Sequence, residues 1–244
     1  MAERSERTHM PAARLQDVSR TYRQGEHNVH ALADITLHID QGEFVSLEGP
    51  SGSGKSTLLN LIGGLDRPTS GEVWIGDVAL STLGSAALAS LRLHRIGFVF
   101  QAYNLIPVLS ARENVEFVLQ LQGVAPAARR TRALEILGDL HIAELADRRP
   151  ADMSGGQQQR VAVARALAAR PLLLLADEPS ANLDSEATRQ LLGLLRTLNE
   201  RDGVTIVTAT HDPVVLSYTR RRVRLVDGRI VDDRIVDNTA NTTP

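Results

Sequence analysis

The stretch FVSLEGPSGSGKSTLLNLI, residues 44–62, decides the fold. A short β-prone run is followed by a glycine-rich loop of the pattern GxxxxGK[ST] and then by apolar residues at helical spacing. In a unit of strand, loop and helix, the glycines allow backbone N–H groups to converge on phosphate oxygens, and the helix N-terminus adds a favourable dipole. The stretch therefore predicts a phosphate-binding loop.

Individual positions of this loop have distinct chemistry. Lys55 can supply positive charge to the β and γ phosphates of a nucleotide, and Ser56 can offer its hydroxyl to Mg²⁺. The candidate nucleotide-binding residues of the loop are Gly49, Ser51, Gly52, Ser53, Gly54, Lys55, Ser56 and Thr57. The competing interpretation is a flexible glycine turn before an ordinary helix, but the flanking strand and helix patterns make an accidental match rare.

A second pattern, LLLLADE at residues 172–178, is typical of a buried strand that ends in two carboxylates. Ligands of a parallel sheet bind beyond the carboxyl ends of its strands. We therefore expect Asp177 to approach Mg²⁺ and Glu178 to act on the attacking water as general base or orienting group. The alternative is a strand that simply ends in two solvated acids.

A third pattern, MSGGQQQR at residues 153–160, predicts another anion site. Ser154 is a suitable N-cap for a helix that runs to Arg170, and Gly155 and Gly156 leave the N–H groups at its start uncovered. Two anion sites in one chain suit a phosphate chain approached from both sides, which a two-fold dimer provides. The alternative is a helix start softened by glycine.

The order of β-prone and helical segments predicts an α/β protein with a mostly parallel sheet. The predicted core strands lie at 44–47, 96–100, 172–176 and 204–208, and runs at 15–22, 33–39 and 72–75 predict an antiparallel β flank. Helical spacing takes over after Pro107, where Ser110 and Glu113 form a capping-box pattern. The predicted organisation is a flexible N-terminus at 1–13, a core at 14–106 and 154–231, an inserted helical subdomain at 107–153 and a flexible tail at 232–244.

Composition narrows the range of functions. The chain has no cysteine, which excludes disulfides, thiolate nucleophiles and Cys-type zinc sites. A net charge of −2 gives no electrostatic steering toward nucleic acid. No apolar run approaches the roughly 20 residues of a membrane helix, and the charged N-terminus does not resemble a secretory signal. We therefore expect a cytoplasmic chain without a direct membrane span and without a nucleic-acid partner.

Together these motifs resemble those of the ATP-binding subunits of ABC transporters, which are P-loop NTPases. The likeness covers residues 14–231: the loop at 49–57 is similar to the Walker A motif, residues 172–178 to the Walker B motif, and residues 154–157 to the SGGQ part of the signature. The resemblance implies that the chain uses ATP and Mg²⁺. It also implies an ATP-dependent homodimer that works on membrane permease subunits at the inner face of the cell membrane.

The resemblance also implies roles for residues that the pattern alone leaves faint. Gln101 is similar to the Q-loop glutamine that contacts Mg²⁺ and water, and His211 to the switch histidine that reaches the γ-phosphate. Asp184 stands at the D-loop position, which crosses the dimer interface, and Gln157 completes the signature. Tyr22 stands where the family stacks an aromatic ring on adenine.

Residues 63–71 and 97–115 resemble one subgroup, the ATPases of lipoprotein-release and macrolide-export systems. This resemblance implies export, extraction or mechanotransmission rather than import. The main alternative is a soluble ABC-type ATPase that acts on DNA or ribosomes, which the single cassette and the lack of cysteine argue against. A phosphotransferase, a GTPase and a regulator without catalysis are further alternatives, and a phosphate-release assay separates the last of these from an ATPase.

Overall fold

The computed structural model describes residues 10–25 and 27–236 of the 244-residue chain. The strands are β1 (Ala13–Gln24), β2 (His27–Ile39), β3 (Phe44–Glu48), β4 (Ser70–Ile75), β5 (Val78–Ala79), β6 (Ile96–Val99), β7 (Leu173–Asp177), β8 (Thr205–Thr210), β9 (Arg221–Val226) and β10 (Arg229–Ile235). The α-helices are α1 (Lys55–Ile62), α2 (Ser85–Arg95), α3 (Ala111–Leu121), α4 (Pro126–Asp139), α5 (Gly155–Ala168), α6 (Ser185–Asp202) and α7 (Pro213–Leu216). Short 3₁₀ helices lie at Leu80–Thr82, Ala143–Leu145 and Pro150–Asp152.

The larger sheet has six strands in the order β10-β9-β3-β8-β7-β6, and all neighbours are parallel except β10 and β9. Its central strands β3, β7 and β8 are buried along nearly their whole length because both faces of the sheet are covered. Strands β3, β7 and β8 run in the same direction, so their carboxyl ends lie at one edge. That edge carries the loop after β3, the acids at the end of β7 and the histidine after β8.

The smaller sheet is antiparallel, in the order β2-β1-β4-β5, as the alternating pattern near the N-terminus predicts. Strand β1 starts earlier than expected. Ala12 and Ala13 are fully buried, and Ala13 pairs with Ile39 on one side and Ile75 on the other. The predicted flexible N-terminus at 1–13 therefore includes two residues, Ala12 and Ala13, that belong to the folded core. Residues 1–9 lie outside the described part of the chain.

The predicted flexible tail at 232–244 is also too long. Strand β10 continues to Ile235 and pairs with β9. It is held by Asp233, whose carboxylate accepts hydrogen bonds of 2.8 and 2.7 Å from the guanidinium of Arg221. Composition alone could not reveal this long-range ion pair, and residues 237–244 lie outside the description.

Between 107 and 153 the described elements are all helical: α3, α4 and two of the short 3₁₀ helices. Helix α3 begins with the predicted capping box, in which Ser110 Oγ accepts from the N–H of Glu113 and Glu113 accepts from the N–H of Ser110. Its apolar face packs with α4 and α5 in a second hydrophobic cluster. Helix α5 ends at Ala168, two residues before the predicted end at Arg170.

Arg221, at the start of β9, forms ion pairs with Glu43 and with Asp233 of the C-terminal strand β10. Its side chain is 9% exposed and lies 2.9 Å from a carboxylate oxygen of Glu43 and 2.7 Å from one of Asp233. We expect Arg221→Ala to lower the free energy of unfolding by about 3 kcal/mol, because two partly buried carboxylates lose their partner. Arg234→Ala is the control: that side chain is 56% exposed, so its loss should cost below about 1 kcal/mol. Urea unfolding followed by circular dichroism measures both.

The ion pair between Arg221 and Asp233 makes the free energy of unfolding depend on pH in the acidic range. The Arg221 guanidinium holds the pKa of Asp233 below its ordinary value of 3.8. The stabilisation is therefore present above the unfolded-state pKa and is lost as the pH falls through the lower folded-state pKa. Equal free energies of unfolding for Arg221→Ala and the unmodified chain at neutral pH would contradict this account.

Candidate functional site

The loop between β3 and α1 has a backbone that only glycine adopts easily. Gly49 and Gly54 have φ angles of 153° and 101°. A Cβ atom on Gly49 would lie 2.2 Å from the carbonyl oxygen of Leu225, and one on Gly54 would lie 2.7 Å from that of Ala31. These close approaches hold the loop against two other strands. The first N–H groups of α1 have no intrahelical partners, as in every helix, and are available to an anion.

Lys55 is the first residue of α1 and is only 8% exposed. Its ammonium group donates hydrogen bonds of 2.9 Å to the carbonyl oxygens of Gly49 and Pro50. An ammonium group has three donors, so a further donor remains for a phosphate oxygen. The loop thus carries one buried positive charge at its centre.

Ser56 and Asp177 meet where α1 begins and β7 ends. Ser56 Oγ donates to Asp177 Oδ1 at 3.0 Å. Burial raises the pKa of Asp177 above its ordinary value of 3.8, and the hydrogen bond from Ser56 opposes that shift. Within residues 10–25 and 27–236 no three acidic or histidine side chains form a metal cluster. A hydroxyl beside one carboxylate fits Mg²⁺, which takes few protein ligands and completes its shell with phosphates and water.

Glu178 has an unusual backbone, with φ of 45°. Its Oε1 lies 2.7 Å from His211 Nδ1, and its Oε2 accepts a 3.3 Å hydrogen bond from the hydroxyl of Thr210. A non-glycine residue in the left-handed region costs free energy and is often found at functional sites. The strain directs the carboxylate away from the line of β7 toward the end of β8. Thr210 had no sequence signal of its own, since a threonine at a strand end is common.

Lys55, Ser56, Glu178 and His211 border one cleft of about 560 Å³. Its walls are formed by Val29, His30, Ala31, Pro50, Ser51, Gly52, Gly54, Lys55, Ser56, Thr57, Gln101, Glu178, Ala181 and His211. Of the sequence-predicted site residues, Gln101, Glu178, His211 and six residues of the loop are thus brought together. Gly49, Ser53 and Asp177 do not border the cleft. The wall contributed by β2 was not predicted, because nothing in its sequence marks which strand of the antiparallel sheet crosses over the loop.

Tyr22 is not among the residues that border this cleft. Its hydroxyl donates to Asp66 Oδ2 at 2.7 Å, and the guanidinium carbon of Arg20 lies 4.4 Å from the centre of its ring. Its cross-strand partner on β2 is Val29, which does border the cleft. The ring is therefore one strand away from the loop, and its role in binding adenine stays a prediction.

The predicted second anion site also lies apart from the cleft. Ser154 caps α5, accepting from the N–H of Gln157, while Gln157 Oε1 accepts from the N–H of Ser154. The start of α5 lies against Tyr103, since a Cβ atom on Gly155 would be 2.6 Å from the Tyr103 hydroxyl. None of the residues 154–157 borders the cleft that contains Lys55.

Asp184 has a defined structural role at the start of α6. Its carboxylate oxygen Oδ1 accepts hydrogen bonds of 2.9 and 2.8 Å from the N–H groups of Glu186 and Ala187, so it is the N-cap of that helix. The cap fixes where the loop after β7 ends. Any role for Asp184 at a dimer interface remains a prediction.

The raised pKa of Asp177 gives a stability prediction. Ionisation of this group costs more in the folded chain than in the unfolded chain, so its contribution to stability is lost as the pH rises through the folded-state pKa. Asp177→Asn cannot ionise and keeps an oxygen for the Ser56 hydrogen bond. We expect it to raise the midpoint of thermal unfolding, without nucleotide, more at about pH 7 than at about pH 4. An equal shift at both pH values would contradict this assignment.

The phosphate loop after β3, the acids ending β7 and the capped helix α5 define an ATPase of the ABC class. The family model described as "ABC transporter" matches residues 32–181. The chain belongs to this family, and the predicted α/β P-loop fold is confirmed. None of the helices in the described part of the chain combines the length and the hydropathy of a membrane span.

Three relatives place the chain within the family. It is 48% identical over 221 residues to the uncharacterized ABC transporter ATP-binding protein MJ0796 of Methanocaldococcus jannaschii, covering 89% of this chain and 94% of the relative. It is 47% identical to the lipoprotein-releasing system ATP-binding protein LolD of Geobacter metallireducens, covering 90% and 97%. It is 47% identical to the macrolide export ATP-binding/permease protein MacB of Marinobacter nauticus, covering 91% of this chain but 34% of that protein.

A solved structure supports the same placement. The dimeric structure of a post-hydrolysis state of MJ0796 bound to ADP and Pi matches with a TM-score of 0.85 and 45% sequence identity, covering 92% of this chain and 99% of that chain. The predicted resemblance to the lipoprotein-release and macrolide-export subgroup is confirmed by the relatives. The chain is therefore an ATP-binding, ATP-hydrolysing subunit of the ABC transporter family.

Proposed function

We propose that two copies of the chain close face to face on two MgATP molecules and thereby drive a separate membrane permease. The observation that carries this proposal is the separation of the two anion sites. Lys55 lies in the cleft, whereas Ser154 and Gly156 at the start of α5 do not border it. One triphosphate meets both sites when a second copy supplies α5, and the MJ0796 structure, a dimer bound to ADP and Pi, supports pairing of two cassettes.

Binding rests on the residues at the start of α1. Lys55 directs its remaining N–H donor at the β and γ phosphates, and the loop N–H groups surround the other oxygens. Ser56, Asp177 and Gln101 would hold Mg²⁺ through oxygen atoms. Mg²⁺ held there would supply positive charge beside the phosphate oxygens. Tyr22 is proposed to support adenine from the side of the antiparallel sheet.

Hydrolysis rests on Glu178 and the groups that hold it. Its carboxylate orients a water molecule in line with the γ-phosphorus and accepts a proton as the oxygen attacks, while the bond to the bridging oxygen of ADP breaks. His211 lies 2.7 Å from Glu178 and is 74% exposed, so its side chain has room to turn toward the γ-phosphate. The products carry more negative charge than ATP, which favours opening of the dimer.

The permease contact is proposed at the segment that follows Gln101. Val108 is 69% exposed there, and Leu105 and Ile106 are half-buried beside it, together with Tyr103. An apolar surface of this kind accepts a short helix of a partner. By analogy with the LolD and MacB relatives, we infer export, extraction or mechanotransmission, with the chain held at the cytoplasmic face of the membrane by the permease.

Complementation between two inactive variants tests the face-to-face arrangement. Lys55→Ala removes the charge of the loop, and Gly156→Asp places a negative charge at the start of α5, where it stabilises the helix but repels phosphate. Each variant alone has no complete site in its homodimer. Mixing them creates heterodimers in which the loop of one chain faces the intact α5 of the other. We therefore expect phosphate release to appear only in the mixture.

The control mixes Lys55→Ala with a Lys55→Ala, Gly156→Asp double variant, which cannot form a complete site. Light scattering with ATP records association in every sample. If one variant alone hydrolyses ATP at the rate of the unmodified chain, or if the mixture stays inactive although heterodimers form, the shared site is refuted.

A further inference from the structure

Gln159 is a fully buried amide in the first turns of α5. Its Nε2 donates a 2.7 Å hydrogen bond to the carbonyl oxygen of Pro179. Its Oε1 is buried and has no hydrogen-bond partner among the described residues. A buried acceptor without a partner lowers the stability of the fold, so stability alone does not explain why an amide occupies this position.

The acceptor of this hydrogen bond lies next to the proposed water-orienting residue. Pro179 directly follows Glu178, and the carbonyl of Glu178 accepts at 3.2 Å from the N–H of Ala181 in a tight turn. The N–H of Glu178 donates to the carbonyl of Ala209 at 2.9 Å. The backbone on either side of the strained Glu178 is therefore held, on one side by β8 and on the other by Gln159.

Gln159 is linked on its other side, through the helix itself, to the start of α5. Gly155 and Gly156 precede Gln159 by about one helical turn, so the three residues move together. A Cβ atom on Gly156 would lie 3.2 Å from the Cβ of Ala187, and one on Gly155 would lie 3.6 Å from the carbonyl oxygen of Asn182. The helix start thus packs directly on the first turn of α6 and on the segment between Glu178 and α6, which leaves little room for independent movement.

We propose that Gln159 is a positioning residue that connects the two nucleotides of the dimer. This inference rests on the proposed function, in which α5 contacts the nucleotide of the partner while Glu178 acts on the nucleotide of its own chain. Contact between phosphate and the start of α5 moves the helix, Gln159 carries the movement to the Pro179 carbonyl, and Glu178 reaches its working orientation. ATP bound at one site therefore accelerates hydrolysis at the other, which is positive cooperativity.

Gln159→Met tests this connection. Methionine has a similar shape and fills the same space but has no N–H donor, and it removes the unpartnered oxygen. We expect the maximal rate of phosphate release to fall about tenfold, as for the loss of one hydrogen bond in the active arrangement. The Hill coefficient for ATP should fall from above one to one, whereas the midpoint of thermal unfolding should stay unchanged. Gln158→Met is the matched control, because its amide donates to Met153 instead.

Gln159→Glu provides a second, pH-dependent readout. Burial raises the pKa of a carboxyl group, and the neutral acid can donate its O–H to the Pro179 carbonyl, whereas the ionised form repels it. We expect the rate of this variant, relative to the unmodified chain, to rise as the pH is lowered from about 8 to about 6. A role limited to packing gives no such rise.

The outcomes separate this inference from the proposed function. A full chain that hydrolyses ATP with a Hill coefficient of one, or a Gln159→Met variant that keeps the original rate and cooperativity, overturns the connection and leaves the ATPase standing. A full chain that releases no phosphate overturns the proposed function itself. If Gln159→Met lowers the unfolding midpoint, the Gln159→Glu profile decides: a rise at low pH supports the connection, and parallel profiles overturn it.

Discussion

Replacing Glu178 with glutamine is expected to lower the rate of ATP hydrolysis by about 10²- to 10⁴-fold, the usual contribution of a positioned general base. The amide keeps the shape of the carboxylate and can still accept from the Thr210 hydroxyl, but it cannot take a proton from water. It also removes one negative charge near the γ-phosphate. We therefore expect the variant to accumulate as an ATP-bound dimer, measured by light scattering beside a phosphate-release assay.

Glu186→Gln is the matched control for this experiment. Glu186 lies in the first turn of α6 and is exposed, and it accepts a 3.2 Å hydrogen bond from Gln190. The same chemical change at this position should leave turnover and association nearly unaltered. Unchanged turnover in Glu178→Gln would remove Glu178 from its proposed role.

Gly54→Ala is expected to abolish nucleotide binding and to destabilise the chain by about 2 kcal/mol or more. The backbone of Gly54 has φ of 101°, and an added Cβ would meet the carbonyl oxygen of Ala31 at 2.7 Å and a methyl of Leu32 at 2.8 Å. Since Lys55 follows directly, any shift of the loop also moves the ammonium group away from its site. Isothermal titration with ATP and urea unfolding measure the two effects.

Gly138→Ala is the control for this substitution. Gly138 lies near the end of α4, and an added Cβ would meet nothing within 4 Å. Alanine has a higher helix propensity than glycine, so this change should preserve ATP binding and raise stability by up to about 1 kcal/mol. Similar losses in both variants would mean that the tight approach at Gly54 is not the cause.

Local patterns predicted the parts of the site that depend on adjacent residues. The spacing of Gly49, Gly54 and Lys55 is enough to predict the loop, and the apolar run before Asp177 is enough to predict a buried strand that ends at the ligand edge. The capping box at Ser110 and the N-cap at Ser154 were predicted for the same reason, because the partners of a cap lie within one helical turn.

The contacts that the sequence did not reveal join residues that are distant along the chain. Thr210 reaches Glu178 across two neighbouring strands, Gln159 reaches Pro179 from a helix 20 residues earlier, and Arg221 holds Asp233 in a strand that composition had suggested was a loose tail. Each pairing follows from strand order and helix packing, which no local pattern encodes. Proximity in space is the information that the structure adds.

The strand order has a practical consequence for observing this protein at work. The six-stranded sheet spans about 24 Å from β10 at one edge to β6 at the other, at roughly 4.8 Å per strand. The chain has no cysteine, so single thiols can be introduced without competing labels. Two dyes, one attached at exposed Val231 on β10 and one at exposed Leu121 at the end of α3, would measure a distance within one subunit by energy transfer. A change in energy transfer on addition of ATP would then report a movement of α3 relative to β10.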